Sequence, residues 1–115
     1  MIGMINLEQM ILQWAEDRGI LQNSNPITQF GKLVSEVGEL ADNIVKGRDV
    51  EDDIGDCIVV LSIIASMKGT TLTKCTNRAW NDIKDRKGYL NSDGVFIKDT
   101  DCGSQLLFDF DKERI

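Results

Sequence analysis

Two pairs of acids carry the chemistry that this chain could perform. In Ser35-Glu36-Val37-Gly38-Glu39-Leu40 two carboxylates stand three residues apart, and Asp53-Ile54-Gly55-Asp56 repeats the spacing just before the most apolar run of the chain, CIVVLSIIA. On a helix, residues i and i+3 share a face, so Glu36 pairs with Glu39 and Asp53 with Asp56. Both pairs border apolar positions, Glu36 between Leu33 and Leu40 and Asp56 beside Cys57 and Val60. Facing carboxylates in a half-buried place resist ionisation unless a cation compensates them. A hard divalent ion, Mg²⁺ or Mn²⁺, takes oxygen ligands, keeps several waters and completes its shell with substrate phosphates. The plainer reading is that acidic pairs of this kind line solvated helix faces or the first turn of a helix.

Composition narrows the alternatives. The 115 residues hold no His, so a His base or a His metal ligand is excluded and acid–base work falls to carboxylates, Lys, Tyr or Cys. A net charge of −6 argues against nucleic-acid binding, which relies on clustered Lys and Arg, but leaves a small phosphate substrate accompanied by divalent cations. Cys57, Cys75 and Cys102 are odd in number and lack C-x-x-C spacing, as expected of reduced thiols in a cytoplasmic protein. The first residues show no secretory pattern, and 54–67 falls short of a bilayer span. The expectation is a soluble, intracellular chain with no membrane partner.

The elements that must position the acids read as helices. Apolar Leu7, Met10, Ile11 and Trp14 follow helical spacing after Asn6, with Gly19 as a stop, and ILQNSNP reads as a connection. Asn25 and Pro26 are N-cap and first-turn signals for a second helix that continues to about Lys46, where Gly47 ends it. Asp49 is the expected cap of a third helix from about Val50 to Met67, apolar nearly all round from Ile54, a pattern that calls for a partner subunit. Thr70 or Thr71 is expected to cap a fourth helix from about Leu72 to Lys87, ended by Gly88. Two strand-like pieces follow, Val95–Ile97 and Leu106–Phe110, in a segment readable as a hairpin, an arm or partly disordered chain. The expected fold is all-α, a four-helix-bundle-like core of antiparallel helices with a short extended C-terminal segment, in an oligomer. The domain is expected over 1–98, with 99–115 a tail or arm.

With these elements in place, KLVSEVGELAD followed by DDIGDCIVVLSIIA resembles the MazG-like branch of the all-α nucleoside triphosphate pyrophosphohydrolases, whose pattern is E-E-x-x-E, a spacer and E-x-x-D. CTNRAWNDIKDRKG is similar to the family's downstream N-x-x-K-x-R segment, and DGVFIKD to the short extended piece of its small members. The resemblance covers about residues 28–98. Ser35 stands where the pattern has its first Glu, and Asp53 where it has Glu.

The resemblance implies Mg²⁺-dependent cleavage of a (d)NTP between the α and β phosphates, giving (d)NMP and pyrophosphate. Glu36, Glu39, Asp53 and Asp56 would be the metal ligands, and Glu39 the carboxylate that orients or deprotonates the attacking water. Asn81, Lys84 and, ranked lower, Arg86 would hold phosphates. Lys32 and Trp14 complete the candidate substrate contacts. For Trp14, Phe30 and Trp80, core packing is the alternative to base recognition. A dimer or a tetramer is implied. Rival functions are a dUTP/dUDP or phosphoribosyl-ATP diphosphohydrolase, and a non-catalytic helical oligomerisation or nucleotide-binding module.

Overall fold

In a computed structural model of the chain, residues 1–99 are described. The described residues are mostly helical, with five helices and one two-stranded sheet. In order they are α1 (Met4–Asp17), α2 (Ile20–Asn23), α3 (Pro26–Val45), α4 (Glu51–Met67), α5 (Leu72–Ile83), β1 (Gly88–Leu90) and β2 (Phe96–Lys98). Two compact units divide the chain, 1–77 and 78–115.

The first unit is organised on α4. Helix α3 makes the most extensive packing against it, α1 packs on it as well, and α2 touches both α1 and α4. The all-round apolar character of α4 is therefore largely used inside the chain, where Val60, Ser62, Ile63 and Ala65 are buried. The Ser62 hydroxyl donates to the Ile58 carbonyl at 2.8 Å, which satisfies it without solvent.

Local signals set most of the boundaries. The Asn25 side chain accepts from the Thr28 N–H at 2.8 Å with Pro26 at the first helical position, so α3 begins as expected. Thr71, rather than Thr70, caps α5 through a bond from the Lys74 N–H at 3.0 Å. Gly19, Gly47 and Gly69 follow helix ends with φ of 74°, 67° and 77°, conformations that L side chains rarely adopt.

Some expectations differ from the structure. Helix α1 starts at Met4, ahead of Asn6, and its N-cap is Gly3 without a side-chain bond. The connection ILQNSNP contains the single turn α2, and Asp49 makes no cap because Val50 holds that position. Helix α5 stops at Ile83, so Lys84 and Arg86 lie beyond it rather than in its last turn.

The second unit holds the end of α5 and an antiparallel hairpin in which Gly88, Tyr89 and Leu90 face Lys98, Ile97 and Phe96. Gly88 thus opens a strand instead of closing a helix. A Cβ there would sit 2.0 Å from the Ile97 carbonyl oxygen, so the strand approach requires glycine. The strand-like piece Leu106–Phe110 and Cys102 lie outside the described residues. Cys57 is half-buried and Cys75 exposed, and both are free thiols. Among the described residues no single helix is long and apolar enough to cross a membrane.

Candidate functional site

The connection 46–50 returns the chain so that the end of α3 meets the start of α4. Asn43 Nδ2 donates to Asp53 Oδ2 at 2.7 Å, which ties the closed end of this helix hairpin and partners a carboxylate that is otherwise buried. Asp53 lies in the first turn of α4 with Glu51 and Asp52, where the helix dipole favours negative charge. Glu36 is also buried, one side of it closed by an ion pair with Lys32 Nζ at 3.0 Å, one helical turn earlier. Glu39 is exposed, and among the described residues no side-chain hydrogen bond or ion pair engages it. Asp56 is half-buried.

The electrostatics bind these groups into one set. Burial pushes the Asp56 carboxyl above its usual range, and the charges of Asp52, Glu36 and Asp53 push it further, with Lys32 opposing them. The Lys32 ammonium is held above its ordinary value, first by its hydrogen bond to Glu36 and that residue's charge, then by Glu39 and Asp56. Lys32 thus sets a positive charge beside Glu36, Glu39 and Asp56. Glu36 on α3 and Asp52 and Asp53 on α4 thus act on Asp56, while Glu39 is coupled to Lys32.

The donor chemistry, carboxylate oxygens with two of them on buried residues, is of the hard type that a divalent cation takes, and burial together with the neighbouring acids raises Asp56. As the side chains stand, no group of three or more Asp, Glu or Cys among the described residues is arranged about one point. Glu36 is turned to Lys32 and Asp53 to Asn43. Ion binding would therefore exchange these partners for a metal.

Beside Asp56 runs an apolar groove between α1 and α4. One part, about 420 Å³, is lined by Leu7, Met10, Ile11, Trp14, Asp56 and Val59. A second part, about 340 Å³, shares Leu7, Ile11, Asp56 and Val59 and adds Met4, Glu8, Asp52 and Ser62. Trp14 is not core. It is half-exposed on the groove, with the Arg18 guanidinium 4.7 Å from its ring centroid. Phe30 and Trp80 are exposed as well. Their helical spacing marks apolar positions, which are not covered among the described residues.

Asn81, Lys84 and Arg86 belong to the second unit and are exposed. Arg86 shares a cavity of about 460 Å³ with Asp82, Asp85, Lys87, Lys98 and Asp99. Ser35 is exposed, and its side chain forms no hydrogen bond among the described residues.

Three residues escaped the sequence reading. Asn43 and Asp52 complete the surroundings of Asp53 and Asp56. Glu8, buried on α1, accepts from the Leu72 N–H at 2.6 Å, the Thr73 N–H at 3.2 Å and the Thr73 hydroxyl at 2.7 Å, and so caps α5 from another helix. Burial raises its pKa, but these bonds outweigh the burial and hold the carboxyl below its usual range. The available signal was its place in the stripe Glu8, Ile11, Leu12, Ala15, where a charge calls for a partner.

Comparison with known proteins adds one relative. The chain is 45% identical over 67 residues to an uncharacterised 18.2 kDa protein of the rep–hol intergenic region of Haemophilus phage HP1. The match takes in 54% of this chain and 41% of the phage protein, so the chain spans less than half of that relative's length. No family model matches the sequence. No solved structure matches the chain.

Proposed function

We propose that this protein is a Mg²⁺-dependent nucleoside triphosphate pyrophosphohydrolase that cleaves (d)NTPs between the α and β phosphates. The observation that carries the reading is the electrostatic coupling of Glu36, Asp52 and Asp53 to Asp56 across the α3–α4 hairpin, with Lys32 held by Glu36 and Glu39, next to a groove that joins Asp56 to Trp14. The resemblance of these segments to the MazG-like enzymes supports the same reading, and with it the four-helix-bundle-like architecture.

Under this proposal Glu36, Glu39, Asp53 and Asp56 hold the ion. When bound, Mg²⁺ neutralises charge on the phosphate oxygens and lowers the cost of forming a nucleophile from water. Glu39, exposed and without a side-chain partner among the described residues, is the carboxylate placed to orient a water and take its proton. Lys32, now among the acids, becomes available to a phosphate once the ion takes over its charge. Trp14 offers an aromatic face for the base, and the apolar walls of Leu7, Ile11 and Val59 exclude water around it. Asn81, Lys84 and Arg86 remain the proposed phosphate contacts.

The test is pyrophosphate release from a panel of normal and modified (d)NTPs with Mg²⁺. Glu39→Gln and Asp56→Asn are expected to lower the rate at least ~100-fold while the helical circular dichroism persists. Unchanged release by both folded variants would defeat the proposal. Release confined to dUTP and dUDP, or to phosphoribosyl-ATP, would narrow it to those diphosphohydrolases.

A further inference from the structure

The groove between α1 and α4 is apolar along most of its length and changes character at one end. On α4, Asp52, Gly55, Asp56, Val59 and Ser62 follow the spacing of one helix face, and all five line the part of about 340 Å³. The part of about 420 Å³ shares Leu7, Ile11, Asp56 and Val59 with it and reaches Trp14, so one trough runs from Trp14 to Asp52. Each part has the size of a small-molecule site.

The polar side chains at the Asp52 end differ in what they have left to offer. The Ser62 hydroxyl is fully buried and donates to the Ile58 carbonyl, so it is spent inside α4. Glu8 is buried and already accepts from Leu72 and Thr73. Asp52 is exposed and Asp56 half-buried, and among the described residues no side-chain hydrogen bond or ion pair engages either. This end of the trough therefore presents carboxylate acceptors and no side-chain N–H. Gly55 stands between the two acids, and a Cβ added there would meet nothing within 4 Å. Glycine weakens a helix interior. Here it leaves room for a flat ring to lie close against α4.

We propose that this trough selects nucleotides whose base carries an exocyclic amino group, as cytosine and adenine do, the amino group donating to the Asp52 carboxylate beside Gly55. The inference rests on the hydrolase reading for the triphosphate and adds the class of base. Asp52 is available for this role because it is not one of the four proposed metal ligands. An amino group supplies the hydrogens that an ionised carboxylate accepts. Uracil and hypoxanthine carry an oxo group at the same ring position, and its lone pairs would face those of Asp52. An acceptor set against an acceptor loses water and gains no bond, which costs more between apolar walls than in solvent. The walls of Leu7, Ile11 and Val59 thus turn one carboxylate into a discriminating contact.

Titration calorimetry of the full chain with Mg²⁺ and the α,β-imido analogues of dCTP, dUTP, dATP and dITP tests it, since these keep the triphosphate and resist cleavage. Each amino base is expected to bind at least ~10-fold tighter than its oxo counterpart, and Asp52→Ala to bring each pair within ~3-fold. Any effect of Asp52→Ala on Asp56 falls on both members of a pair and cancels in their ratio. Gly55→Leu, a better helix former placed in open space, is expected to weaken all four at least ~10-fold with the helical circular dichroism unchanged. Equal binding of amino and oxo bases by the wild type, or a preference that survives Asp52→Ala, would overturn the proposal. Unchanged binding in Gly55→Leu would overturn the placement against α4. Preferential binding of the amino analogues without pyrophosphate release from dCTP or dATP defeats the hydrolase reading and leaves this inference standing. Release from all four natural triphosphates at equal kcat/KM, or from dUTP alone, does the reverse. Failure of all four analogues to bind would overturn both.

Discussion

Glu8→Gln probes the strongest tie between α1 and the start of α5. The wild-type carboxylate is 6% exposed and receives three hydrogen bonds, from two backbone N–H groups and one hydroxyl. Gln keeps one acceptor oxygen, so at least one of those donors faces an NH₂ group and loses its partner. A cap replaced by a non-capping residue costs about 0.5–2 kcal/mol, and a buried donor left unsatisfied about 1–3 kcal/mol. The expected loss at neutral pH is therefore about 2–3 kcal/mol, read from denaturant unfolding followed by far-ultraviolet circular dichroism. Acid adds a second signature. The folded Glu8 carboxyl titrates below its usual range, so its contribution is full above the unfolded value and disappears as pH falls through the folded one. The gap between wild type and Glu8→Gln is thus wide at neutral pH and narrows below about pH 4. Thr73→Val removes the hydroxyl donor, and its double-mutant cycle with Glu8→Gln is expected to show coupling of about 1 kcal/mol or more. Equal unfolding midpoints for Glu8→Gln and wild type at neutral pH, or a gap that does not change with pH, would refute the clasp.

Two further expectations follow from the site and its support. Asp56 is raised by burial and by Asp52, Glu36 and Asp53, so its ionisation weakens the metal-free fold as pH rises through the interval between the unfolded and folded values. Metal-free Asp56→Asn is then more stable than wild type at neutral pH and loses that advantage in acid. Saturating Mg²⁺ is expected to reverse the order, because only the wild type keeps the full carboxylate set, and thermal unfolding with and without Mg²⁺ reads the reversal. Asn25→Ala removes the side-chain acceptor for the Thr28 N–H and is expected to cost about 1 kcal/mol in the same unfolding assay, with fraying confined to the start of α3.

Local chemistry made much of this architecture legible. The Asn25-Pro26 start, the glycines after α1, α3 and α4, and the i, i+3 acids each act within a few residues, so spacing alone predicts them. Boundaries failed where no local signal existed. Val50, with no side-chain bond, caps α4 although Asp49 is adjacent, and α5 ends at Ile83 although its pattern runs on to Lys87. Gly88 looked like a helix stop, yet its lack of a side chain serves the close approach of Ile97 across the hairpin.

By itself, the sequence determined that any acid–base or metal chemistry falls to carboxylates, Lys, Tyr or Cys, since the chain has no His, and that its candidate carboxylates are spaced in i, i+3 pairs. Only the tertiary structure decided what surrounds them. Asn43 meets Asp53 because the α3–α4 connection folds back, Glu8 reaches Thr73 from a helix 65 residues away, and Trp14 borders Asp56 because α1 lies on α4. It also decided which apolar stripe stays open. Periodicity identifies an apolar face, but whether that face is covered depends on which helices arrive against it. Here α4 is packed by its neighbours, whereas Ile27, Phe30, Val34, Val37 and Ile44 of α3 are exposed among the described residues.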